Sequence, residues 1–152
     1  MTDQLDTFAS DYGDAELLHQ PGNLPHPPLS VDAAQVPLSG GTDPAYGEVR
    51  WRTLINGTPD HPRELVLGIA EFGPGDRLPP HRHDPAEFYF GLEGCGTVTI
   101  DGTPHRIAPG IALYVPGGAE HGTVAGENGL RFAYGFASRS FEEIQYRFSA
   151  SA

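Results

Sequence analysis

The chain has 152 residues and a mass of 16.3 kDa, enough for one domain with a substantial core. Its formal net charge of −11 repels nucleic acid and anionic lipid, so a general nucleic-acid or membrane-surface protein is disfavoured. The single cysteine, Cys95, rules out an intramolecular disulfide and argues against a cysteine-based zinc site.

The first ten residues carry Asp3 and Asp6, no Lys or Arg and no apolar run. They resemble neither a secretory signal nor a transit peptide, and no stretch reaches the ~18 apolar residues that span a bilayer. These features predict a cytoplasmic protein without a membrane segment. Residues 1–46 read as an irregular arm. Leu5, Phe8, Tyr12, Leu17 and Leu18 suit a short helix, but the prolines between Gln20 and Leu29 exclude regular structure there. The arm has too few apolar residues for a core of its own. It is expected to lie on the remainder of the chain or on a partner subunit.

Residues 47–152 follow a period of two. Val49, Trp51, Thr53 and Ile55 alternate with Arg50, Arg52 and Leu54, ahead of an Asn56-Gly57 turn. Glu64–Phe72 reads as a more buried strand. Further strands are predicted at Glu87–Leu92, Gly96–Ile100, His105–Ala108, Ile111–Val115, Gly122–Ala125 and Leu130–Phe136. Asp101-Gly102 is a hairpin signal, and Pro109-Gly110 and Pro116-Gly117-Gly118 are breaks. Phe141–Tyr146 fits either a short strand or a helical turn. The 20 Gly and 15 Pro suit short strands and tight turns, so an all-β sandwich or small antiparallel barrel is expected.

The chemistry gathers in two segments. His81 and His83 are two apart, so on a strand both imidazoles face one side. Asp84-Pro85 breaks that strand and Glu87 opens the next, able to face the histidines across a hairpin. His121 follows a Gly-rich turn at the start of a later strand. Three imidazoles and one carboxylate suit a divalent first-row metal: Fe(II), Mn, Co, Ni or Zn. Six-coordination leaves two positions for water or substrate. Tyr89, two beyond Glu87, faces the same interior, while Phe88, Phe90 and Leu92 face outward. An apolar outer face of this kind points to cover by the arm or by a partner.

The spacings G-x5-H-x-H-x3-E-x6-G from Gly75 to Gly94, and G-x5-P-x-G-x2-H from Gly110 to His121, resemble the two-part signature of the cupin superfamily. Ala125 stands where that signature has Asn. The resemblance covers residues 47–140 and implies a jelly-roll type β-barrel with a metal inside one end. The run His81-Arg-His83-Asp-Pro-Ala-Glu87-Phe-Tyr89 further resembles the cupin-type dimethylsulfoniopropionate lyases, which cleave their zwitterionic carboxylate substrate to acrylate and dimethyl sulfide. That likeness implies His81, His83, Glu87 and His121 as metal ligands, iron as first metal, and Tyr89 as general base. A second active-site tyrosine is expected, with Tyr146, Tyr134 and Tyr114 as candidates. A homodimer is expected.

Other readings fit the same four ligands. One is a different metal cupin, either a dioxygenase, for which Cys95 beside Gly94 is a point of interest, or an isomerase. Another is a module that only binds a small ligand.

Overall fold

The computed structural model describes residues 28–150, and the helix expected around Leu5–Leu18 lies outside them. The described residues contain no α-helix. Nine strands follow one another: β1 (Ser39–Gly40), β2 (Arg50–Ile55), β3 (Val66–Phe72), β4 (Arg77–Arg82), β5 (Glu87–Ile100), β6 (Thr103–Ile107), β7 (Ala112–Val115), β8 (His121–Phe136) and β9 (Arg147–Phe148). Short 3₁₀ turns occupy Ala33–Gln35, Pro44–Tyr46 and Phe141–Glu143. No helix among the described residues is long and apolar enough to cross a membrane.

All pairings are antiparallel and join one curled sheet, in the order β1-β2-β3-β8-β4-β9, with β5 paired to β6, β7 and β8. The core lies inside the curl. Val98, Ile107 and Val115 are fully enclosed, and Phe132, Tyr89 and Val66 nearly so. Each such side chain contributes about 1.5–3 kcal/mol by leaving water.

Two of the expected strand pairs prove continuous. Glu87–Leu92 and Gly96–Ile100 are halves of β5, and Gly122–Ala125 and Leu130–Phe136 are halves of β8. Their ladder runs from Glu87 opposite Phe136 to Ile100 opposite His121, with register shifts between Gly91 and Glu93 and between Gly94 and Gly96. The glycines bend these strands rather than end them. Gly94 takes a φ of +66°, and a Cβ there would meet the Gly129 carbonyl at 2.2 Å. The hairpin at Asp101-Gly102 forms as the sequence indicates, with positive φ at both residues.

β4 is irregular for a chemical reason. Pro79 and Pro80 have no N–H to give to β8, and the register shifts between Leu78 and His81. Asn56 does not close a tight hairpin. Its amide instead ties down the C-terminal segment: Oδ1 accepts from the Phe141 N–H at 2.7 Å and Nδ2 donates to Glu142. That segment forms the 3₁₀ turn at Phe141–Glu143, and β9 then pairs with His81 and Arg82 on β4. At the other end of the described chain, β1 pairs with the start of β2, so residues 39–40 belong to the sheet.

Candidate metal centre and its aromatic cavity

Each candidate ligand stands at or near a strand end. His81 lies on β4, directly opposite His121, the first residue of β8. His83 falls one residue past the end of β4 rather than on the strand. Its ring still points inward and is 1% exposed. Glu87 opens β5 and is also buried. One ring nitrogen from each of His81, His83 and His121 lies within 4.8 Å of the others. Glu87 Oε2 stands 3.1 Å from His83 Nε2 and 3.2 Å from His121 Nε2.

The backbone sets the tautomer of every ring. Nδ1 of His81 faces the Pro79 carbonyl at 2.9 Å, that of His83 the Pro85 carbonyl at 2.9 Å, and that of His121 the Ala119 carbonyl at 3.0 Å. A carbonyl only accepts, so each Nδ1 carries the proton. In the neutral ring each Nε2 is then a bare lone pair. Two of these lone pairs confront the Glu87 carboxylate, itself an acceptor, and the third, on His81, is buried with no partner. Acceptors this close repel unless a proton or a metal cation lies among them. The donor set therefore fits a divalent metal held by three imidazole nitrogens and one carboxylate oxygen.

Electrostatics agree with that fit. Burial, then the neighbouring His121, pushes the His81 pKa down to about 4, which keeps its lone pair free at neutral pH. Burial pushes the Glu87 carboxyl up, but hydrogen bonds and charge from His121 and His83 in their doubly protonated form outweigh it and bring Glu87 below the ordinary carboxylate value, and a cation among the same atoms would act in the same direction.

Beside Glu87 lies a small cavity walled by Tyr46, Trp51, Tyr89, Phe132, Tyr134 and Tyr146. Glu87 is the one charged side chain in its lining. Tyr89 points inward from β5, 2% exposed, with its ring 4.2 Å from that of Phe132 and 6.2 Å from that of His121. Burial, then the negative charge of Glu87, holds its phenol well above the ordinary value. A dication on the same ligands pulls in the opposite direction.

The structure brings two of the three other candidate tyrosines to the cavity. Tyr146 reaches it from the C-terminal segment and stacks on His81, with centroids 4.8 Å apart. Burial and Glu87 likewise raise its pKa well above normal. Tyr134 points in from β8, with its hydroxyl 3.3 Å from Thr53 Oγ1. Burial is the main cause that pushes it up to about 12. Tyr114 is on the outer face, opposite Phe88, and is 69% exposed. It has no place in the cavity. Cys95 lies against Gly126, where β5 and β8 bend, and does not line the cavity.

Sequence reasoning passed over Tyr46 and Phe141. Tyr46 touches Trp51, Tyr146 and Phe148 at centroid distances of 5.6, 5.3 and 4.9 Å. It is the sole aromatic residue between Pro28 and Gly47, the signal that marks it.

Comparison with known proteins agrees with this geometry. The cupin domain family matches residues 68–132. The dimethylsulfoniopropionate lyase DddW of Ruegeria pomeroyi is 73% identical over 152 residues, covering all of both chains. Among solved structures, the polyketide cyclase RemF of Streptomyces resistomycificus superposes with a TM-score of 0.69 at 26% identity, over 82% of this chain and 87% of that one. A chain from the crystal structures of the DMSP lyases RdDddP and RnDddQII superposes with a TM-score of 0.63 at 18% identity, over 76% of this chain and 63% of that one, which bears on the fold alone. Motif, barrel and full-length identity converge: the chain belongs to the cupins, and among them to the family of the dimethylsulfoniopropionate lyase DddW.

Proposed function

We propose that this protein is a metal-dependent carbon–sulfur lyase that converts dimethylsulfoniopropionate to acrylate and dimethyl sulfide in the cytoplasm. The observation that carries the reading is a buried cluster of His81, His83 and His121, able to hold a metal, with Glu87 against two of them and lining an aromatic cavity as its one charged side chain. The full-length identity to a lyase of that name supports it.

His81, His83 and His121 offer neutral nitrogens, and Glu87 the compensating charge. The bound divalent ion, Fe(II) first and Mn, Co, Ni or Zn otherwise, would serve as Lewis acid to the substrate carboxylate, acidifying its α-proton and favouring tyrosinate at Tyr89. Tyr89 Oη takes the α-proton, and that C–H electron pair becomes the new C=C bond. The Cβ–S pair leaves with sulfur, so the sulfonium departs as neutral dimethyl sulfide and the carbon chain as acrylate. Tyr89 then returns its proton to solvent. The faces of Trp51, Tyr46 and Tyr146 suit the sulfonium end, since aromatic rings attract such cations. No cationic side chain in the cavity opposes it.

The test is headspace detection of dimethyl sulfide from purified protein of known metal content. Equal yields of acrylate and sulfide without oxygen uptake are expected. Oxygen consumption, or binding without turnover, would replace the lyase by a dioxygenase or a ligand-binding cupin.

A further inference from the structure

The outer face of the sheet carries an apolar surface outside the aromatic cavity. Cross-strand partners share a face, and one row across four strands is Leu67, Gly135, Phe88 and Tyr114. The next row holds Ile69, Ala133 and Phe90. Phe88 lies across Gly135, where a Cβ would come within 2.2 Å of its ring. Phe88 and Phe90 are nonetheless 44% and 42% exposed. A groove beside them is lined mainly by apolar residues, Ile55, Leu65, Leu67, Ala86 and Ala137 among them, with Glu64 and Glu87 also in its wall. A continuous apolar face on a chain of net charge −11 is a surface built to be covered.

We propose that residues 1–27 of the same chain cover this face. The entry point of the chain is the first argument. β1 runs antiparallel to β2 with Ser39 opposite Trp51, so the chain ahead of Ser39 advances toward Ile55, at the margin of the groove. There Arg52, a cross-strand partner of Ile69 and so on the outer face, donates from Nη1 to the Val36 carbonyl. Reach is the second argument. From β2 to β7 the face is four strand spacings wide, about 19 Å. An extended chain covers about 3.3 Å per residue, so 27 residues cross it with slack.

Composition is the third argument. The segment brings Leu5, Phe8, Leu17 and Leu18, together with Asp3, Asp6, Asp11, Asp14 and Glu16, and has no Lys or Arg. Next to the apolar rows the same outer face carries Arg50, Arg52 and Arg131 against Glu71 and Glu93. An acidic, leucine-bearing segment complements both parts. A second copy of the chain would have to compete with a tethered segment whose effective concentration is of the order of millimolar.

The test is photocrosslinking in the full-length, metal-loaded protein. Tyr114→p-benzoylphenylalanine places the reactive group on the face, and His105→p-benzoylphenylalanine on exposed β6 is the control. The Tyr114 adduct is expected on a peptide within residues 1–27, at monomer mass on a denaturing gel, and absent from the control. Leu17→Asp with Leu18→Asp should reduce its yield several-fold while metal content stays unchanged. Adducts to barrel peptides of another chain, adducts to residues 1–27 only at twice the monomer mass, no adduct to residues 1–27, or an undiminished yield in the double variant would each overturn the proposal. None of these readouts depends on lyase activity.

Discussion

Tyr146 stacks on His81, ring to ring, with centroids 4.8 Å apart and planes inclined by 24°. The contact joins the residue just ahead of β9 to a candidate ligand of the metal centre. Tyr146 also approaches His83 at 5.4 Å, so one ring covers two of the three imidazoles. Tyr146→Phe keeps that cover, whereas Tyr146→Ala removes it. The alanine variant should exchange metal with a chelator at least about tenfold faster, in the range seen when supporting groups around a metal are lost. The phenylalanine variant should exchange at the parent rate. Stopped-flow chelation reads both, and equal rates for all three proteins would remove Tyr146 from this role.

Loss of a ligand should be more severe than loss of cover. His121→Ala deletes a nitrogen, and its affinity should fall beyond the about 10–100-fold cost of losing an outer-sphere hydrogen bond. Glu87→Gln behaves differently. Its amide N–H can donate to the lone pairs of His83 and His121, which sit 3.1 and 3.2 Å from the present carboxylate oxygen. The metal-free Gln variant should melt no lower than the metal-free parent, yet bind metal more weakly. Calorimetry on metal-free protein, with metal titration, checks the pair of effects. A large loss of metal-free stability in Glu87→Gln would contradict the tautomers assigned above.

Tyr89→Phe removes one hydroxyl and keeps the ring against Phe132, 4.2 Å away. Folding and metal content should be unchanged. Turnover should fall by about 10²–10⁴-fold, the usual cost of removing a general base. Deuterium exchange at the substrate α-carbon should fall with it. Sulfide release at the parent rate would transfer the base to another group.

Tyr134 has a separate pH signature. Its folded pKa is pushed up to about 12, mainly by burial, against an unfolded value near 10. The stabilising effect of the neutral phenol is therefore complete below pH 10 and is lost as pH rises from 10 toward 12. At neutral and mildly alkaline pH the phenol keeps its proton, so Tyr134→Phe should leave the alkaline limb of the pH–rate profile in place. Ultraviolet phenolate titration of parent and variant should differ by one late-titrating group. A group lost near pH 10 instead would contradict the burial argument.

Gly68 gives a stability prediction. A Cβ there would lie 2.3 Å from Cζ and Oη of Tyr134 and 2.6 Å from the Arg52 carbonyl. The carbonyl is backbone and cannot swing aside. Gly68→Ala should cost about 1–3 kcal/mol, as overpacked cores do, and lower Tm by several degrees. Adding Tyr134→Phe relieves only the hydroxyl contact and should restore part of the loss. A melting curve unchanged by Gly68→Ala would show that the strand shifts freely.

The sequence by itself carried the barrel class and the His–Glu cluster proposed as ligands, because both depend on short-range rules. Side chains two apart on extended backbone share a face, so His81 lines up with His83 and Glu87 with Tyr89. Asp101-Gly102 codes a hairpin through its own φ angles, and alternation marks which residues turn inward. Strand length was harder to read. A glycine that ends a strand and a glycine that bends one look alike in sequence, and only the close approach of Gly94 to the Gly129 carbonyl makes β5 and β8 continuous. The cavity depended on tertiary structure still more. Tyr134 and, third in line, Tyr114 are both candidates by sequence, yet cross-strand register puts Tyr114 outside and Tyr134 inside. Tyr46 and Tyr146 are 100 positions apart and meet at 5.3 Å because β1 pairs with β2 at one end of the chain and β9 with β4 at the other. Pairing over such separations is set by which apolar surfaces the whole chain must bury together, and no local window contains that information.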